Sequence, residues 1–549
     1  MNHRHGPAAV GALLLLLLPA IPNSAQVTSR VDSQLADLAS DEAETSFWAA
    51  LALVDSSADG VDEALRAART REEFRSSLRA RAALEFVIAR RSGEPPPRGA
   101  PLESAPGVVL ISIDTLRSDH LGCYGYQRPT SPNIDAEAAR GARFQAAVAP
   151  ASWTLPTHMS MLTSLYPSFH KLEKGGKVGS TRLDESEPTL GELLHQAGYA
   201  SAGFVANPFL DASWGFGRGF DIYRREAADA SLQSRRAALW IEWHRFLSGR
   251  GLAPVPFFLF VHYIDPHEPY AAPPPFQERF APGYGGSLSA RNRLVSRFLV
   301  DDFQSSEDFT YVVGLYDAEV SYVDDSLAAI FDALKRTGAR ENTLVIITSD
   351  HGEEFKDHGS MGHKQTLFDE MIVVPLVISW PARIAAGTIV ERQVSLLDIA
   401  PTVRSAAGAG AVGLEQGINL LPHLAAPGSA AATPLPERSL FSELGPLGVK
   451  WEGRDYRRAV RTDGLKLIFT YDASGIFRRE LYDLKTDPRE KNNLWESLKA
   501  RPDVVALERS LTGFIREGVA YNPGFREKNG LGLDEEMIEK LRSLGYVDD

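Results

Sequence analysis

The chain has 549 residues, of which 44% are hydrophobic and 23% are charged, and its formal net charge is −13. A chain of this length is too long to form one small hydrophobic core, and its composition is typical of a globular protein. We therefore expect two to four domains or one large α/β domain with additions. The acidic balance argues against nucleic acid or an anionic membrane surface as the main partner.

The N-terminal segment has the pattern of a secretory signal peptide. Basic residues precede an apolar run over residues 8–21, and small residues at 23–25 resemble a cleavage site. The run is short for a membrane span, and no later segment has about 18 uninterrupted apolar residues. We therefore predict a signal peptide over residues 1–25 and an exported, periplasmic or secreted protein with no stable membrane span. An uncleaved anchor is the alternative.

The next two segments differ in composition. Residues 26–92 are rich in Ala, Leu, Glu and Arg, and their apolar positions recur at helical spacing, which predicts two or three helices with a packing or spacing role. Proline and glycine dominate residues 93–107, which predicts a linker. We expect a main domain over 108–432 and a C-terminal subdomain over 433–549.

After the linker, apolar runs that suit buried strands alternate with helical patterns. Residues 108–113, 257–261 and 343–348 are apolar runs of the kind found in strands buried on both faces. Residues 189–197 and 313–335 have helical periodicity. Strands that alternate with helices indicate a mostly parallel sheet covered on both faces, and such sheets bind ligands outside the carboxyl ends of their strands.

Polar residues follow each of these predicted strands, where we expect them to line one rim of the sheet. They are Asp114 after the first strand, His262, Asp265 and His267 after the second, and Asp350 and His351 after the third. Carboxylates and imidazoles suit calcium, magnesium, manganese or zinc better than copper(I) or an iron–sulfur cluster. Singly, Asp114 can be a helix cap and His262 a hydrogen-bonded core histidine. Three such strand ends together favour a metal site.

A hydroxyl group, that of Thr154, precedes Pro156 in the segment SWTLPTHMSMLTSLYP. Proline suits the first turn of a helix, which places Thr154 just ahead of that turn. There the hydroxyl either caps the helix or serves as a nucleophile or metal ligand facing an anion at the helix N-terminus. The local residues favour the cap, and the polar strand ends elsewhere favour the second interpretation.

Several motifs, in order, resemble the sulfatase family within the alkaline-phosphatase-like superfamily. They extend from about residue 107 to about residue 495, and cover neither the N-terminal helices nor the last fifty or so residues. The matching segments are IDTLRSDHLGCYG (113–125), SPNID (131–135), GARF (141–144), the Thr154 segment, HEPY (267–270), DHGE (350–353), GHK (362–364), VPL (374–376), DIAPT (398–402), RAVR (458–461), LYDL (481–484) and DP (487–488).

The resemblance implies an α/β fold with a large mixed, mostly parallel sheet flanked by helices, followed by a smaller C-terminal subdomain on an antiparallel sheet. Residues 108–432 would form the catalytic domain. The substrate would be a sulfate or phosphate ester of a small molecule or glycan, and the cofactor a divalent metal. That metal is calcium in the family, while magnesium, manganese and zinc also suit the ligands.

The resemblance also assigns roles to individual residues. Asp114, Asp350 and His351 match metal ligands, and the nucleophile at Thr154 completes the set. His267 and Lys364 match positions that contact the transferred group or the leaving oxygen, and His363 lies beside them with a shared substrate-binding role.

Two departures from the family pattern bear on mechanism. Family members with sulfatase activity carry a cysteine or serine that is oxidised to formylglycine, followed two residues later by Pro-Ser-Arg; here the residues are Thr154, Pro156, Thr157 and His158. Oxidation of a secondary alcohol gives a ketone, so the unmodified hydroxyl is the expected nucleophile, and His158 takes the place of the arginine in substrate binding. Thr115 stands where many relatives carry another metal-binding aspartate.

These residues predict an exported, metal-dependent hydrolase of sulfate or phosphate esters that acts through a covalent intermediate on Thr154. His267 or His262 would activate the hydrolytic water, and Lys364 would offset charge on the transferred group. Threonine favours phosphate or phosphonate esters, because formylglycine releases sulfate by elimination and threonine cannot; family membership favours sulfate. The alternatives are a sulfatase with a different nucleophile mechanism, a member that binds an anionic glycan or lipid without turnover, and a phospho-group transferase.

Overall fold

The computed structural model describes residues 24–94, 102, 105–172, 182–286, 288, 305–424, 433–445, 455–472 and 475–521. The predicted signal peptide lies almost wholly outside the described residues, as does most of the predicted linker. The chain divides into two compact units, Met1–Glu94 and Pro95–Asp549.

The first unit is helical where it is described. Its helices are α1 (Ser24–Leu38), α2 (Ala43–Asp55), α3 (Val61–Ala68), α4 (Glu72–Ser76) and α5 (Leu78–Arg91). The prediction of two or three helices was wrong, because the backbone leaves helical geometry at several points. Gly60 has a φ of 83°, and Arg71 and Ser77 are extended.

The second unit contains a central sheet, a smaller sheet and the helices around them. The strands are β1 (Gly107–Ile113), β2 (Ala142–Val148), β3 (Ala200–Val205), β4 (Ile222–Arg225), β5 (Phe257–Tyr263), β6 (Thr343–Ser349), β7 (Glu354–Phe355), β8 (Met361–Gly362), β9 (Val373–Ser379), β10 (Thr388–Val390), β11 (Val394–Ser395), β12 (Leu440–Leu444), β13 (Tyr456–Arg461), β14 (Leu465–Asp472) and β15 (Gly475–Asp483). The helices are α6 (Pro132–Arg140), α7 (Thr154–Thr163), α8 (Pro167–His170), α9 (Leu190–Gln196), α10 (Ala230–Ser248), α11 (Pro274–Phe280), α12 (Ser306–Arg336), α13 (Asp369–Ile372), α14 (Ile399–Ala407), α15 (Trp495–Leu498) and α16 (Pro502–Ala520).

The central sheet has the strand order β10-β2-β9-β6-β1-β5-β3-β4, and β11 also pairs with β2. Its pairings are parallel except those of β9, which runs antiparallel to β2 and β6. Strand β1 lies between β5 and β6, with Ile113 opposite both Tyr263 and Ser349. The residues that follow these three strands therefore leave the sheet side by side, and the predicted mixed, mostly parallel sheet is confirmed.

The smaller sheet is antiparallel, in the order β12-β13-β14-β15, as predicted for the C-terminal subdomain. It contacts the main sheet near the start of α7. The Glu443 backbone N–H donates to the Pro150 carbonyl at 2.8 Å, and the Glu443 carboxylate accepts from the Ser168 hydroxyl and pairs with Arg458. The C-terminal sheet thus fixes the segments on both sides of α7.

The predicted strands and helices of the main domain are present, with small shifts at their ends. Helix α9 begins after Thr189, which forms a capping box with Glu192. Helix α12 begins seven residues before its predicted start, at Ser306, because Ser305 and Asp308 form another capping box. Within the described residues, no helix is both long and apolar enough to cross a membrane. The domain boundaries stay a prediction.

We predict that a buried histidine on α10 makes the stability of the protein depend on acid pH. Burial lowers the pKa of His244 to about 3; its ring stacks on Trp240 and its Nε2 lies 2.9 Å from the Pro254 carbonyl oxygen. In the unfolded chain the pKa of this ring is about 6.5. Below that pH the unfolded state binds more protons than the folded state, so the free energy of unfolding decreases as the pH falls towards ~3. The expected loss at pH ~5 is about 2 kcal/mol.

Thermal melts of the wild-type protein and H244Q at pH 7 and pH 5 test this dependence. The wild-type melting temperature should fall more between the two pH values than that of H244Q, whose amide does not titrate and can still donate to Pro254. Equal falls in the two proteins would show that His244 makes no such contribution.

Candidate active site

The predicted nucleophile is the first residue of α7. Trp153 holds the N-cap position, all ten helical residues are buried, and Pro156 lies in the first turn, where a missing N–H costs nothing. The cap interpretation of Thr154 was wrong. Within the described residues its hydroxyl has two polar contacts, each at 3.4 Å, with His351 Nε2 and Asn207 Nδ2.

The carboxyl ends of β1 and β6 bring Asp114, Asp350 and His351 next to Thr154. The ligand atoms of the first three lie within 4.8 Å of one another and all are buried. His351 Nε2 is 3.4 Å from Asp114 Oδ1, from Asp350 Oδ2 and from Thr154 Oγ1. The four residues that the sequence suggested as metal ligands thus form one cluster, which we call the ligand cluster.

Hydrogen bonds leave suitable atoms of the ligand cluster open to a cation. His351 Nδ1 donates to the carbonyl oxygen of the next residue at 2.9 Å, so Nε2 carries a lone pair. Asp350 Oδ1 accepts from the backbone N–H groups of Thr115 and His351, and Asp114 Oδ2 accepts from Asn207. Asp114 Oδ1 and Asp350 Oδ2 are buried with no hydrogen-bond partner in the part of the chain that the structure describes. This arrangement fits a divalent cation.

The electrostatics of the ligand cluster also fit a cation. Burial and the charge of Asp114 raise the pKa of Asp350 well above its usual range. Burial likewise raises the pKa of Asp114, but the imidazoles of His262, His267 and His351 outweigh burial and lower it overall. Burial lowers the pKa of His351 to about 4, so this ring is neutral near pH ~7. Two adjacent buried carboxylates can both ionise once a divalent cation lies between them.

A second group of buried ligand-type side chains contains His158, His262 and Asp350. His158 Nδ1 donates to the Thr154 carbonyl oxygen at 2.9 Å, so the nitrogen that lies 3.5 Å from Asp350 Oδ2 is protonated and cannot bind a metal. His158 Nε2 contacts Ser112 Oγ at 2.8 Å. His158 therefore supports α7 and Asp350. This placement differs from the predicted substrate-binding role, because both ring nitrogens are engaged within the protein.

His262 lies beside Asp114, with its Nε2 3.5 Å from Asp114 Oδ2. The ring is fully buried, and neither nitrogen has a hydrogen-bond partner among the described residues. The alternative of a hydrogen-bonded core histidine stays a prediction. As a base, His262 can exchange protons only through the interior of the site.

Three imidazoles lead from the ligand cluster towards the surface. The His363 ring centroid lies 4.7 Å from those of both His351 and His267, and His363 Nδ1 is 3.3 Å from Glu353 Oε1. His267 is partly exposed. Its Nδ1 donates to the carbonyl oxygen of Glu268 at 2.8 Å, which leaves Nε2 for proton transfer.

Lys364 is partly exposed beside two aromatic rings. Its Nζ lies 5.5 Å from the ring centroid of Trp153 and 5.0 Å from that of Phe209, within the range of cation–π attraction. Its φ is 73°, a left-handed conformation that is uncommon outside glycine and concentrated at functional sites. The backbone thus holds this cation near Trp153, the residue before Thr154.

The sequence analysis missed Asn207, which follows β3. Its Oδ1 accepts from the Phe209 backbone N–H at 2.9 Å, which fixes the orientation of the amide. Its Nδ2 then donates to Asp114 Oδ2 at 2.7 Å and lies 3.4 Å from Thr154 Oγ1. Strand β3, ASAGFV, has too many small residues to stand out as an apolar run. The Asn-Pro pair at 207–208 was the available signal that a strand had ended there.

A model of the sulfatase family matches residues 106–409, more than half of the chain. The chain belongs to the sulfatase family. A second model, of the N-sulphoglucosamine sulphohydrolase C-terminal region, matches residues 357–517. The predicted class of enzyme, a sulfatase-family ester hydrolase, is confirmed.

Individual relatives of this sulfatase-family hydrolase are distant. The uncharacterized sulfatase YidJ of Escherichia coli is 25% identical over 441 residues, which cover 72% of this chain and 84% of YidJ. The Delta 4,5-hexuronate-2-O-sulfatase of Bacteroides thetaiotaomicron is 23% identical over 452 residues, 75% of this chain and 89% of that protein. The structure of BT4656 with its substrate D-glucosamine-2-N,6-O-disulfate has a TM-score of 0.63 and 19% identity, and covers 78% of this chain and 100% of that one. It supports the fold.

We predict that N207A lowers kcat for ester hydrolysis by about 10²-fold, with a smaller change in KM. The physical reason is that Asn207 donates to Asp114 and lies within reach of the Thr154 oxygen. N207D, which has the same shape without the donor, should lose at least as much. Steady-state kinetics of the three proteins measure the effect, and an unchanged kcat in N207A would assign Asn207 to packing alone.

Proposed function

We propose that this chain hydrolyses sulfate or phosphate esters by nucleophilic attack of Thr154, with a divalent metal held by the ligand cluster. The observation that supports this proposal is the position of Thr154 Oγ1. It lies in the first residue of α7 and 3.4 Å from His351 Nε2, beside the buried carboxylates of Asp114 and Asp350. A helix N-terminus and a cation both stabilise negative charge on an attacking oxygen and on an anionic group.

The proposed metal ligands are Asp114 Oδ1, Asp350 Oδ2, His351 Nε2 and Thr154 Oγ1. A divalent cation in this position would lower the pKa of the Thr154 hydroxyl and offset charge on the transferred group. Asn207 and His158 would keep the cluster in place, since Asn207 holds the second oxygen of Asp114 and His158 holds the Thr154 carbonyl.

The remaining chemistry needs an acid and then a base. The deprotonated Thr154 oxygen attacks sulfur or phosphorus, the bond to the ester oxygen breaks, and His267 Nε2 gives a proton to the departing alcohol. The same nitrogen then accepts a proton from water, whose oxygen attacks the sulfur or phosphorus and releases Thr154 and inorganic sulfate or phosphate. His267 suits both steps because it is partly exposed and its Nδ1 is fixed. The fully buried His262 is the alternative base.

Two arguments point to different transferred groups. The sulfatase family model and the hexuronate sulfatase relative support a sulfate ester, with a sulfated sugar as one substrate class. The secondary alcohol of Thr154 supports a phosphate ester, because its sulfate ester cannot decompose by elimination. The proposed substrates therefore include both sulfate and phosphate esters. We also propose that the mature protein is exported, on the basis of the apolar run at 8–21.

We predict that T154A loses about 10³-fold or more of the hydrolytic rate, while T154S keeps measurable activity because it retains an alcohol. The test uses matched aryl sulfate, phosphate monoester, phosphate diester and phosphonate ester substrates with purified, metal-loaded protein. Acid-quenched wild-type protein should carry one additional phosphoryl or sulfuryl group on the peptide that contains Thr154, as measured by mass spectrometry.

Three outcomes separate the alternatives. Phosphoester turnover that is lost in T154A, together with no turnover of the aryl sulfate, would support the threonine mechanism and exclude sulfate as the main substrate. Turnover of a sulfate ester that survives in T154A would show that another nucleophile acts. No turnover of any ester, with metal bound and the melting temperature unchanged, would favour the alternative of a binding protein.

A further inference from the structure

We infer that the ligand cluster takes a transition-metal ion of the zinc and manganese class in preference to calcium, and that Thr115 sets this preference. The inference rests on the proposed function for the place of the metal. It concerns the chemical class of the ion, and it is tested without measuring turnover.

The donor atoms that are open to an ion are few, and one of them is nitrogen. They are Asp114 Oδ1, Asp350 Oδ2, Thr154 Oγ1 and His351 Nε2. The second oxygens of Asp114 and Asp350 already accept hydrogen bonds, which favours binding of an ion through one oxygen of each carboxylate. Calcium takes about six to eight oxygen ligands, often from bidentate carboxylates. Imidazole suits zinc and other transition metals, and zinc is satisfied by about four ligands.

The spacing of the donors is compatible with this class of ion. In a tetrahedral site with bonds of about 2.1 Å, the ligands lie about 3.4 Å apart. Each of the three oxygens lies 3.4 Å from His351 Nε2. Adjacent ligands of a six-coordinate calcium with bonds of about 2.4 Å have the same separation. The number and the chemical type of the donors therefore decide between the two classes.

Two further side chains beside the ligand cluster, His262 and Asn207, present nitrogen to it. His262 Nε2 lies 3.5 Å from Asp114 Oδ2 and has no hydrogen-bond partner in the described chain. The Asn207 amide presents its nitrogen to the cluster, since its oxygen accepts from Phe209. Neither side chain offers the oxygen that a calcium ion would need.

A carboxylate in place of Thr115 would change the number of oxygen donors and the negative charge of the ligand cluster. Thr115 follows Asp114, its backbone N–H donates to Asp350 Oδ1 at 3.3 Å, and its buried Oγ1 has no hydrogen-bond partner among the described residues. Its φ is 56°, a left-handed conformation that is strained for a β-branched residue and easier for Asp or Asn. With threonine at this position, two carboxylates would surround one divalent ion. An aspartate would add a third negative charge and two oxygen donors.

Metal content and thermal melts of the wild-type chain test the preference. Chelator-stripped full-length protein is dialysed against an equimolar mixture of zinc, manganese, calcium and magnesium, and the retained metals are measured by elemental analysis. We expect about one equivalent of zinc or manganese per chain and less than a tenth as much calcium, with a rise in melting temperature on adding zinc or manganese alone. D350N should lose the retained ion.

T115D and T115N provide the matched test of Thr115. Both side chains suit the left-handed backbone, and only T115D adds charge. We expect T115D to bind calcium at least tenfold more tightly than the wild-type protein, and T115N to keep the wild-type selectivity. Both are measured by equilibrium dialysis with radioactive calcium.

Four outcomes would overturn the inference: calcium retained in preference by the wild-type chain, no ion retained at all, the ion kept in D350N, or equal calcium binding by T115D and T115N. Loss of ester hydrolysis in protein that retains zinc or manganese as expected would instead count against the proposed function, and the metal preference would stand.

Discussion

The repulsion between two buried carboxylates, Asp114 and Asp350, is the constraint around which the site is arranged. They follow adjacent parallel strands in register, with Ile113 opposite Ser349, so the topology of the sheet forces them together in a space closed to water. Two like charges that lie close together in a low dielectric repel each other by several kcal/mol. Backbone N–H groups donate hydrogen bonds to one oxygen of Asp350, and the Asn207 amide donates to one oxygen of Asp114. The remaining oxygen of each carboxylate lies near His351 Nε2. The two carboxylates therefore still require a positive charge to offset their own.

Packing holds helix α7, whose first residue is the proposed nucleophile, and the C-terminal subdomain contributes to this packing. All residues of α7 are buried, so its register against the sheet cannot shift without disturbing the core. Glu443 of β12 bonds to Pro150 on one side of α7 and to Ser168 on the other. His158 ties the Thr154 carbonyl to Ser112 of β1. Substitutions in β12 are therefore expected to affect the position of a hydroxyl that they do not touch.

The sequence was most informative for strands that are buried on both faces, because such strands appear in it as continuous apolar runs. Strands β1, β5 and β6 are buried on both faces, so each is a continuous apolar run, and the polar residue that ends each run was recognisable. Strand β3 fills its place with small residues and was missed, and Asn207 with it. The role of His158 could not be read from its position, because its Nε2 partner, Ser112, lies on a distant strand. Thr154 was ambiguous for the same reason, since its contacts with His351 and Asn207 are long-range and only the alternative role, as a helix cap, was local.

The ligand cluster is assembled from parts of the chain that are far apart in order. Thr154 and His351 are separated by 197 positions, and Thr115 and Asp350 by 235. In an extended chain these groups are independent single ligands, which hold a divalent ion weakly, and they meet only after β1 has paired with β6. A divalent ion held by this cluster would therefore bind to a chain that has already folded, and the donor atoms would select it from the ions present where folding finishes.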